Sequence, residues 1–527
     1  MKSKLIFFLI LLAGFILGIY YHFLLEELSE WSLFTTITFR EEASPLWKVS
    51  SYILTHLFTI LFTLSVIFIA SIIVLENRNP SRTVAWLVIL TIFPIIGFVF
   101  YIFVGRNIRK RRRYKDKTIN LNELHQLFNI PYDVTDYQTL QPISSKQERL
   151  VHLLLHNASL PMTQLNQVEI LTNGEATFEK MFEELRRAEH HIHFITFILR
   201  NDQVGNELKK ILIEKAKQGI KVRMIIDGLG SRQLSRSYKQ ELKEAGVELV
   251  SFSPILFPYL RKINYRNHRK ITIIDGEVGF LGGLNVGDEY LGLNEKFGFW
   301  RDTHMMVKGD AVYFLQLIFL HDWRFSTDQI VRPEPCYFPK HEIKQPLHVQ
   351  IAASGPDSDW EYILKVYFSL ITQAKKTVYI TTPYLIPDDS IAMALKTAAL
   401  SGVDVRILVP GIPDHVVVHW ASRSYYRELI EAGVKIYSYL KGFIHAKIII
   451  VDGQVVTIGT ANFDIRSFHH NFEVSGVIYD PKVADRLSQD FFEDLSYSEQ
   501  LDLDQIVNRP IGEKARESIA RLMSPLL

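Results

Sequence analysis

Two segments of the chain carry the same residue types at the same offsets. The first reads His268-Arg-Lys270, Asp275, Gly282-Gly283 and Asn285; the second reads His445-Ala-Lys447, Asp452, Gly459-Thr460 and Asn462. Counted from the histidine, Lys stands at +2, Asp at +7, Gly at +14 and Asn at +17 in both. On composition alone a His-x-Lys-x4-Asp string is expected about 0.05 times in a chain like this, so chance does not explain two extended copies. Their surroundings repeat too. Gly219-Ile-Lys-Val-Arg223 returns as Gly402-Val-Asp-Val-Arg406, 402 − 219 = 183 residues on. Lys243-Glu-Ala-Gly-Val247 returns as Ile430-Glu-Ala-Gly-Val434, 430 − 243 = 187 residues on. A period of that length is a domain and not a solenoid unit.

Each copy reads as an α/β unit. Thr177–His190 has the pattern of an amphipathic helix and Ile192–Leu199 that of a buried strand. Glu207–Gln218 is again helical, and Lys221–Asp227 is a strand ending at Gly228. The expected organisation is therefore two similar α/β lobes, 143–335 and 336–527, packed about a pseudo-twofold axis that brings equivalent strand ends to one cleft.

The first hundred residues differ in kind. Leu5–Leu25, Val49–Leu75 and Val84–Val104 are uncharged runs of 21, 27 and 21 residues. Each is long enough to cross a hydrocarbon layer of about 30 Å, so residues 1–105 are expected to form two or three transmembrane helices. The first run also has the basic start of a signal peptide, but Glu26-Glu27 stands where a small-residue cleavage site belongs. Residues 106–142 form a linker that opens with Arg106, Arg109, Lys110, Arg111, Arg112, Arg113, Lys115 and Lys117. Such a cluster belongs on the cytoplasmic side, which predicts a multi-pass protein of the cell membrane with both lobes in the cytoplasm and Asn77–Thr83 as an outside turn.

The repeated motifs have a chemical reading. Residues two apart on a strand share a face, so each His-x-Lys pair directs an imidazole and an ammonium to the same cleft. Asp275 and Asp452 have the other parity and sit where their strands turn, which suits a structural task. Asn285 and Asn462 can donate to an anionic oxygen. Two imidazoles, two ammonium groups and two amides facing one point suit a phosphodiester: one histidine attacks phosphorus and the other handles the proton of the alcohol. The lysines supply the positive charge, so neither a metal nor another cofactor is expected. An imidazole used this way needs a partner that fixes its tautomer. Asp302 is the candidate for His268, and Glu473 the candidate for His445.

These motifs resemble the phospholipase D superfamily and, within it, the bacterial cardiolipin synthase family. The finer resemblance rests on Asn79-Pro-Ser-Arg-Thr-Val-Ala-Trp86, Pro94-Ile-Ile-Gly97 and Val104-Gly-Arg106 in the membrane region. It continues in Asn264-Tyr-Arg-Asn-His-Arg-Lys270, Trp300–His304, Thr382-Pro-Tyr-Leu-Ile-Pro387 and Gly459-Thr-Ala-Asn-Phe-Asp-Ile-Arg-Ser467. One departure is Phe194-Ile195-Thr196-Phe197, where the family pattern has an acidic residue and a tyrosine. The resemblance implies two phospholipase D-like lobes and a catalytic set of His268, Lys270, Asp275, His445, Lys447 and Asp452. It further implies transphosphatidylation: two phosphatidylglycerol molecules give cardiolipin and glycerol, with His268 as nucleophile and His445 as acid and base.

Other readings stay open on sequence. A hydrolytic phospholipase D would use water as acceptor. A nuclease of the same superfamily is disfavoured by a net charge of only +2, from 59 Lys+Arg and 57 Asp+Glu. A non-enzymatic membrane protein is disfavoured by two intact motifs. The lone Cys336 excludes an internal disulfide or a cysteine zinc site. His190-His191-Ile-His193 reads as a helix running into a strand and not as a metal site. Phe257–Arg266 mixes aromatics and cations, as either a bilayer-gripping segment or a solvated loop, and His469-His470 reads as a turn beside the cleft. Glu513–Leu527 is expected to pack on the second lobe.

Overall fold

A computed structural model describes scattered helical residues between 60 and 75, then 80–92, 145–158, 161–253, 265–327, 329, 331, 334–343, 346–357 and 361–527. Residues 1–110 and 111–527 form two compact units. In the first unit, Pro80–Ile92 is a helix of 13 residues whose Trp86 and Leu90 pack with Ile69 and Ile73. Proline fits a first helical turn, where its missing N–H has no partner to lose, so the expected turn Asn77–Thr83 is helical from Pro80 onward. Among the described residues no helix is long and apolar enough to cross a membrane. The run Leu5–Leu25, most of Val49–Leu75, the end of Val84–Val104, the basic linker and most of Phe257–Arg266 lie outside the described residues.

Short β-branched runs make the strands of the second unit. In its first half these are β1 (Met162–Thr172), β2 (His191–Thr196), β3 (Lys221–Asp227), β4 (Glu248–Phe252), β5 (Ile271–Ile274), β6 (Val278–Gly282), β7 (Phe299–Arg301) and β8 (Thr303–Gly309). The second half contains β9 (Pro346–Ser354), β10 (Thr377–Thr381), β11 (Leu385–Ile386), β12 (Asp404–Pro410), β13 (Lys435–Tyr439) and β14 (Gly442–Ile444). It continues with β15 (Ile448–Val451), β16 (Val455–Gly459), β17 (Phe463–Asp464), β18 (Glu473–Ile478) and β19 (Ser498–Gln500).

Fifteen of these strands join one sheet in the order β19-β13-β12-β10-β15-β16-β18-β9-β1-β8-β6-β5-β2-β3-β4. The order reads the same outward from either side of the antiparallel β1–β9 pair, with β8, β6, β5, β2, β3 and β4 answered by β18, β16, β15, β10, β12 and β13. The sequence repeat is thus a pseudo-twofold in the sheet. Strands β5 and β15 are buried on both faces, and apart from Thr272 they read as apolar runs for that reason. Helices Ala311–Thr327 and Pro481–Ser496 supply Phe314, Phe319, Leu487 and Phe491 to the core on one face. Outer helices, Asn173–Arg187 and Gln203–Lys217 on one lobe and Tyr362–Gln373 and Asp389–Leu400 on the other, cover the opposite face. The C-terminal helix Ile511–Leu522 packs on the second lobe, with Arg423 paired to Glu513 at 3.0 Å and to Glu517 at 3.1 Å.

Candidate active site

Each histidine sits where its chain enters the sheet and borrows its hydrogen bonds from the other lobe. The His268 amide donates to the Phe472 carbonyl at 2.9 Å, and the His445 amide to the Arg301 carbonyl at 2.7 Å. Strand β14, just before His445, runs parallel to β7, just before Asp302. Consequently Nδ1 of His268 lies 3.0 Å from both oxygens of Glu473, and Nδ1 of His445 lies 2.9 Å from Oδ2 of Asp302. The expected pairing is therefore corrected: Glu473 serves His268, Asp302 serves His445, and each carboxylate crosses from the opposite half. Proximity in sequence suggested pairing within a lobe, but the two halves exchange these entry segments at the cleft. With Nδ1 engaged, Nε2 is the free nitrogen of both rings.

The carboxylates are themselves fixed. Glu473 accepts from the Thr460 hydroxyl in a short contact and from Asn471 Nδ2 at 3.1 Å. Asp302 accepts from the Thr303 amide at 2.8 Å. A Cβ on Gly283 would stand 2.1 Å from Asp302 Oδ1, so only glycine leaves room for this carboxylate. Burial opposes ionisation of both acids, but His445 and Lys447 bring Asp302 down to about 2, and His268 and Lys270 lower Glu473.

Burial dominates the cations as well. His268 is lowered, and His445 is lowered to about 4 by burial and Lys447 against the pull of Asp302. Lys270 falls to about 7 through burial and the neighbouring Lys447 charge, and Lys447 falls to about 8 through burial against the pull of Asp302 and Glu473. Lys270 Nζ donates to the His268 carbonyl at 2.8 Å, and Lys447 makes the same short bond to His445. Phe197, at the family departure, faces His268 with ring centroids 5.0 Å apart and lies 5.7 Å from Lys270 Nζ.

The other predicted residues fall into two groups. Asn285 donates to the Tyr290 hydroxyl at 3.1 Å and Asn462 to Asp464 at 3.1 Å, each through one of its two N–H bonds. Asn462 Oδ1 is buried and without a hydrogen-bond partner. Asp275 and Asp452 are not brought to the histidines. They stand at the far ends of β5 and β15, roughly 13 Å along a four-residue strand. Both adopt the left-handed conformation, with φ of 55° and 52°. Asp275 accepts from the amides of Glu189, His190 and His191 at 2.8 to 2.9 Å. Asp452 accepts from those of Lys375, Lys376 and Thr377 at 2.7 to 3.1 Å. Their placement in the catalytic set is corrected: the motif aspartate staples the entry of the neighbouring strand.

Sequence reasoning missed the buried ion pairs that hold the His268 segment. Arg266 grips Asp227 at 2.7 Å, with side chains 2% and 0% exposed. Arg269 makes a short contact to Asp322, which also accepts from Asn267 at 2.8 Å. A signal was present: Arg269 has the opposite parity to His268 and Lys270, and Asp322 interrupts an apolar helix. His191 and His193 are both buried near Gln316, their rings 4.6 Å apart, and belong to the packing of the first lobe.

Comparison with known proteins agrees with this geometry. Residues 181–323 and 367–495 match the family described as "Cardiolipin synthase, PLD-like domain", and residues 63–106 match "Phospholipase_D-nuclease N-terminal". The chain is 48% identical over 473 residues to the cardiolipin synthase of Geobacillus kaustophilus (strain HTA426), covering 89% of this chain and 94% of that protein. It is 41% identical over 478 residues to the major cardiolipin synthase ClsA of Bacillus subtilis (strain 168), covering 89% and 99%. Among solved structures, phosphatidylserine synthase of Haemophilus influenzae Rd KW20 superposes with a TM-score of 0.57 at 18% identity, over 73% of this chain and 100% of that one. That likeness carries the fold. The chain belongs to the cardiolipin synthase family, enzymes of the phospholipase D type.

Proposed function

We propose that the chain joins two phosphatidylglycerol molecules into cardiolipin and glycerol. The observation that carries this reading is the reciprocal pair of histidines, His268 on Glu473 and His445 on Asp302, with two buried lysines beside them. A phosphodiester enters between the lobes, and Lys270 and Lys447 neutralise its non-bridging oxygens, assisted by the remaining N–H bonds of Asn285 and Asn462. Nε2 of His268 attacks phosphorus, the P–O bond to glycerol breaks, and His445 gives its proton to the leaving oxygen. The bound anion raises the pKa of His445 so that it holds that proton. A hydroxyl of the second lipid then gives its proton to His445, attacks phosphorus and breaks the P–N bond. Cardiolipin leaves with both imidazoles restored.

Residues 143–335 and 336–527 are the two lobes of this reading. The apolar runs in residues 1–105 are the membrane anchor, and the basic segment 106–117 holds the lobes on the cytoplasmic side. Anchoring keeps the cleft beside its lipid and raises the effective concentration of both substrates. The test is a product assay on purified full-length protein in phosphatidylglycerol mixed micelles. Cardiolipin with free glycerol supports the reading. Phosphatidic acid with glycerol and no cardiolipin identifies a hydrolase instead.

A further inference from the structure

The C-terminal helix Ile511–Leu522 has two unlike faces. Its only acids, Glu513 and Glu517, turn inward. Glu513 pairs with Arg423 at 3.0 Å, and Glu517 pairs with Arg423 at 3.1 Å and with Arg509 at 2.6 Å. Glu517 and Ala520 are the buried residues of the helix. Opposite them, Ile511, Ala515, Ile519 and Leu522 fall at i, i+4, i+8 and i+11 and form one outward stripe. Its large members are 88%, 64% and 82% exposed in that order. Exposed bases flank the stripe, Lys514 and Arg521 on one margin and Arg516 on the other. Arg521 reaches Glu428 at 2.8 Å, and the Arg516 guanidinium lies over Trp420, 5.6 Å from the ring centroid. The outward surface thus offers apolar side chains and cations, with every acid of the helix turned away.

An exposed apolar stripe of this length is an interaction surface. A second copy fits it poorly, because a symmetric contact would set Lys514 and Arg516 against their own counterparts. An anionic lipid surface answers both features. The stripe enters the boundary between headgroups and acyl chains, and the bases on its margins meet lipid phosphates.

The place of the helix in the fold agrees. It packs through Arg423 on the helix Val416–Glu431, which follows β12. Strand β12 runs parallel to β10, and the last residue of β10, Thr381, stands opposite Ile448, the residue after Lys447. The start of Val416–Glu431 is therefore at the cleft edge of the sheet, and there Val416 is 67% exposed. Past the C-terminal helix, the Leu527 carbonyl accepts from the Arg466 amide at 2.8 Å, four residues after Asn462.

We infer that Ile511–Leu522 is an interfacial helix, which lays the cleft edge of the second lobe on an anionic lipid surface. This contact is separate from the apolar runs of residues 1–105. The choice of a lipid partner rests on the synthase reading above, whose substrate and product are both anionic lipids. The helix then sets the orientation of the cleft toward the leaflet, which an anchor joined by a linker leaves open.

The test uses full-length protein in vesicles of phosphatidylcholine and phosphatidylglycerol. Ile519→Cys, in a Cys336→Ser background, carries an environment-sensitive fluorophore. Lipid spin-labelled near the headgroup boundary is expected to quench it about fivefold more than the same probe at Lys217→Cys, an exposed position at the opposite edge of the sheet. Lys514→Glu with Arg516→Glu should weaken that quenching, as should vesicles of phosphatidylcholine alone. A probe that is not quenched in the anionic vesicles overturns the proposal. So does one shielded from aqueous iodide yet not quenched by lipid, because protein then covers the stripe.

Ile519→Asp gives a second readout. Cardiolipin formation in the same vesicles is expected to fall about fivefold, and turnover of short-chain phosphatidylglycerol dissolved as monomers less than about twofold. No loss in vesicles, or equal loss on both substrates, overturns the proposal. Either failure leaves the synthase reading intact, since that reading stands on the product formed in mixed micelles. The product formed does not enter the quenching measurement, so failure of that reading is recorded separately.

Discussion

His268 and Glu473 are 205 positions apart in the chain, yet Nδ1 of the imidazole lies 3.0 Å from both carboxylate oxygens. The reverse relation, His445 on Asp302, spans 143 positions. Neither half of the molecule contains a complete histidine–carboxylate pair, so the active site exists only where both halves are docked.

Replacing either carboxylate by its amide should leave the fold in place and disturb the tautomer of the opposite histidine. Glu473→Gln and Asp302→Asn are each expected to lower kcat by about 10²- to 10⁴-fold with a small change in KM. Paired with His268→Ala, Glu473→Gln should add little further loss, because the two residues act as one unit. Steady-state kinetics on the two singles and the double checks both statements.

Binding of the anionic lipid should take up protons. Lys270 titrates at about 7 and Lys447 at about 8 in the empty site, chiefly because both are buried. A bound phosphodiester favours their charged forms and raises both values. Affinity for a non-reactive phosphodiester lipid analogue is therefore expected to fall as pH rises through 7 to 9. Calorimetry in buffers of different ionisation enthalpy should record proton uptake near pH 8, and Lys270→Met should reduce it.

Asp275 and Asp452 should prove to be stability residues. Each satisfies three backbone amides at the start of a strand, so Asp275→Ala or Asp452→Ala is expected to cost about 1–3 kcal/mol. Turnover per folded molecule should stay near wild type below the melting transition. Thermal unfolding and kcat, measured on the same preparations, separate the two effects.

Much of this was legible in the sequence, for identifiable reasons. The paired His-x-Lys segments, the doubled α/β order and strand β3 at Lys221–Asp227 follow from spacing and periodicity, which are local. The parity argument gave Asp275 its structural task. Partner choice was not legible: Trp300–His304 and Asn471–Glu473 lie nearest their own lobe's motif in sequence, and only the docking of β7 against β14 carries Asp302 to His445. Arg269 and Asp322 form a buried pair between a strand entry and a helix, and their alternation signal had no partner until the helix was packed.

The most direct measurement is to find the covalent intermediate. Full-length enzyme mixed with labelled phosphatidylglycerol, quenched rapidly in alkali and digested, is expected to yield a peptide carrying the phosphatidyl group on His268. His268→Ala should yield no labelled peptide. A label on His445, or no labelled histidine while cardiolipin accumulates, would contradict the account.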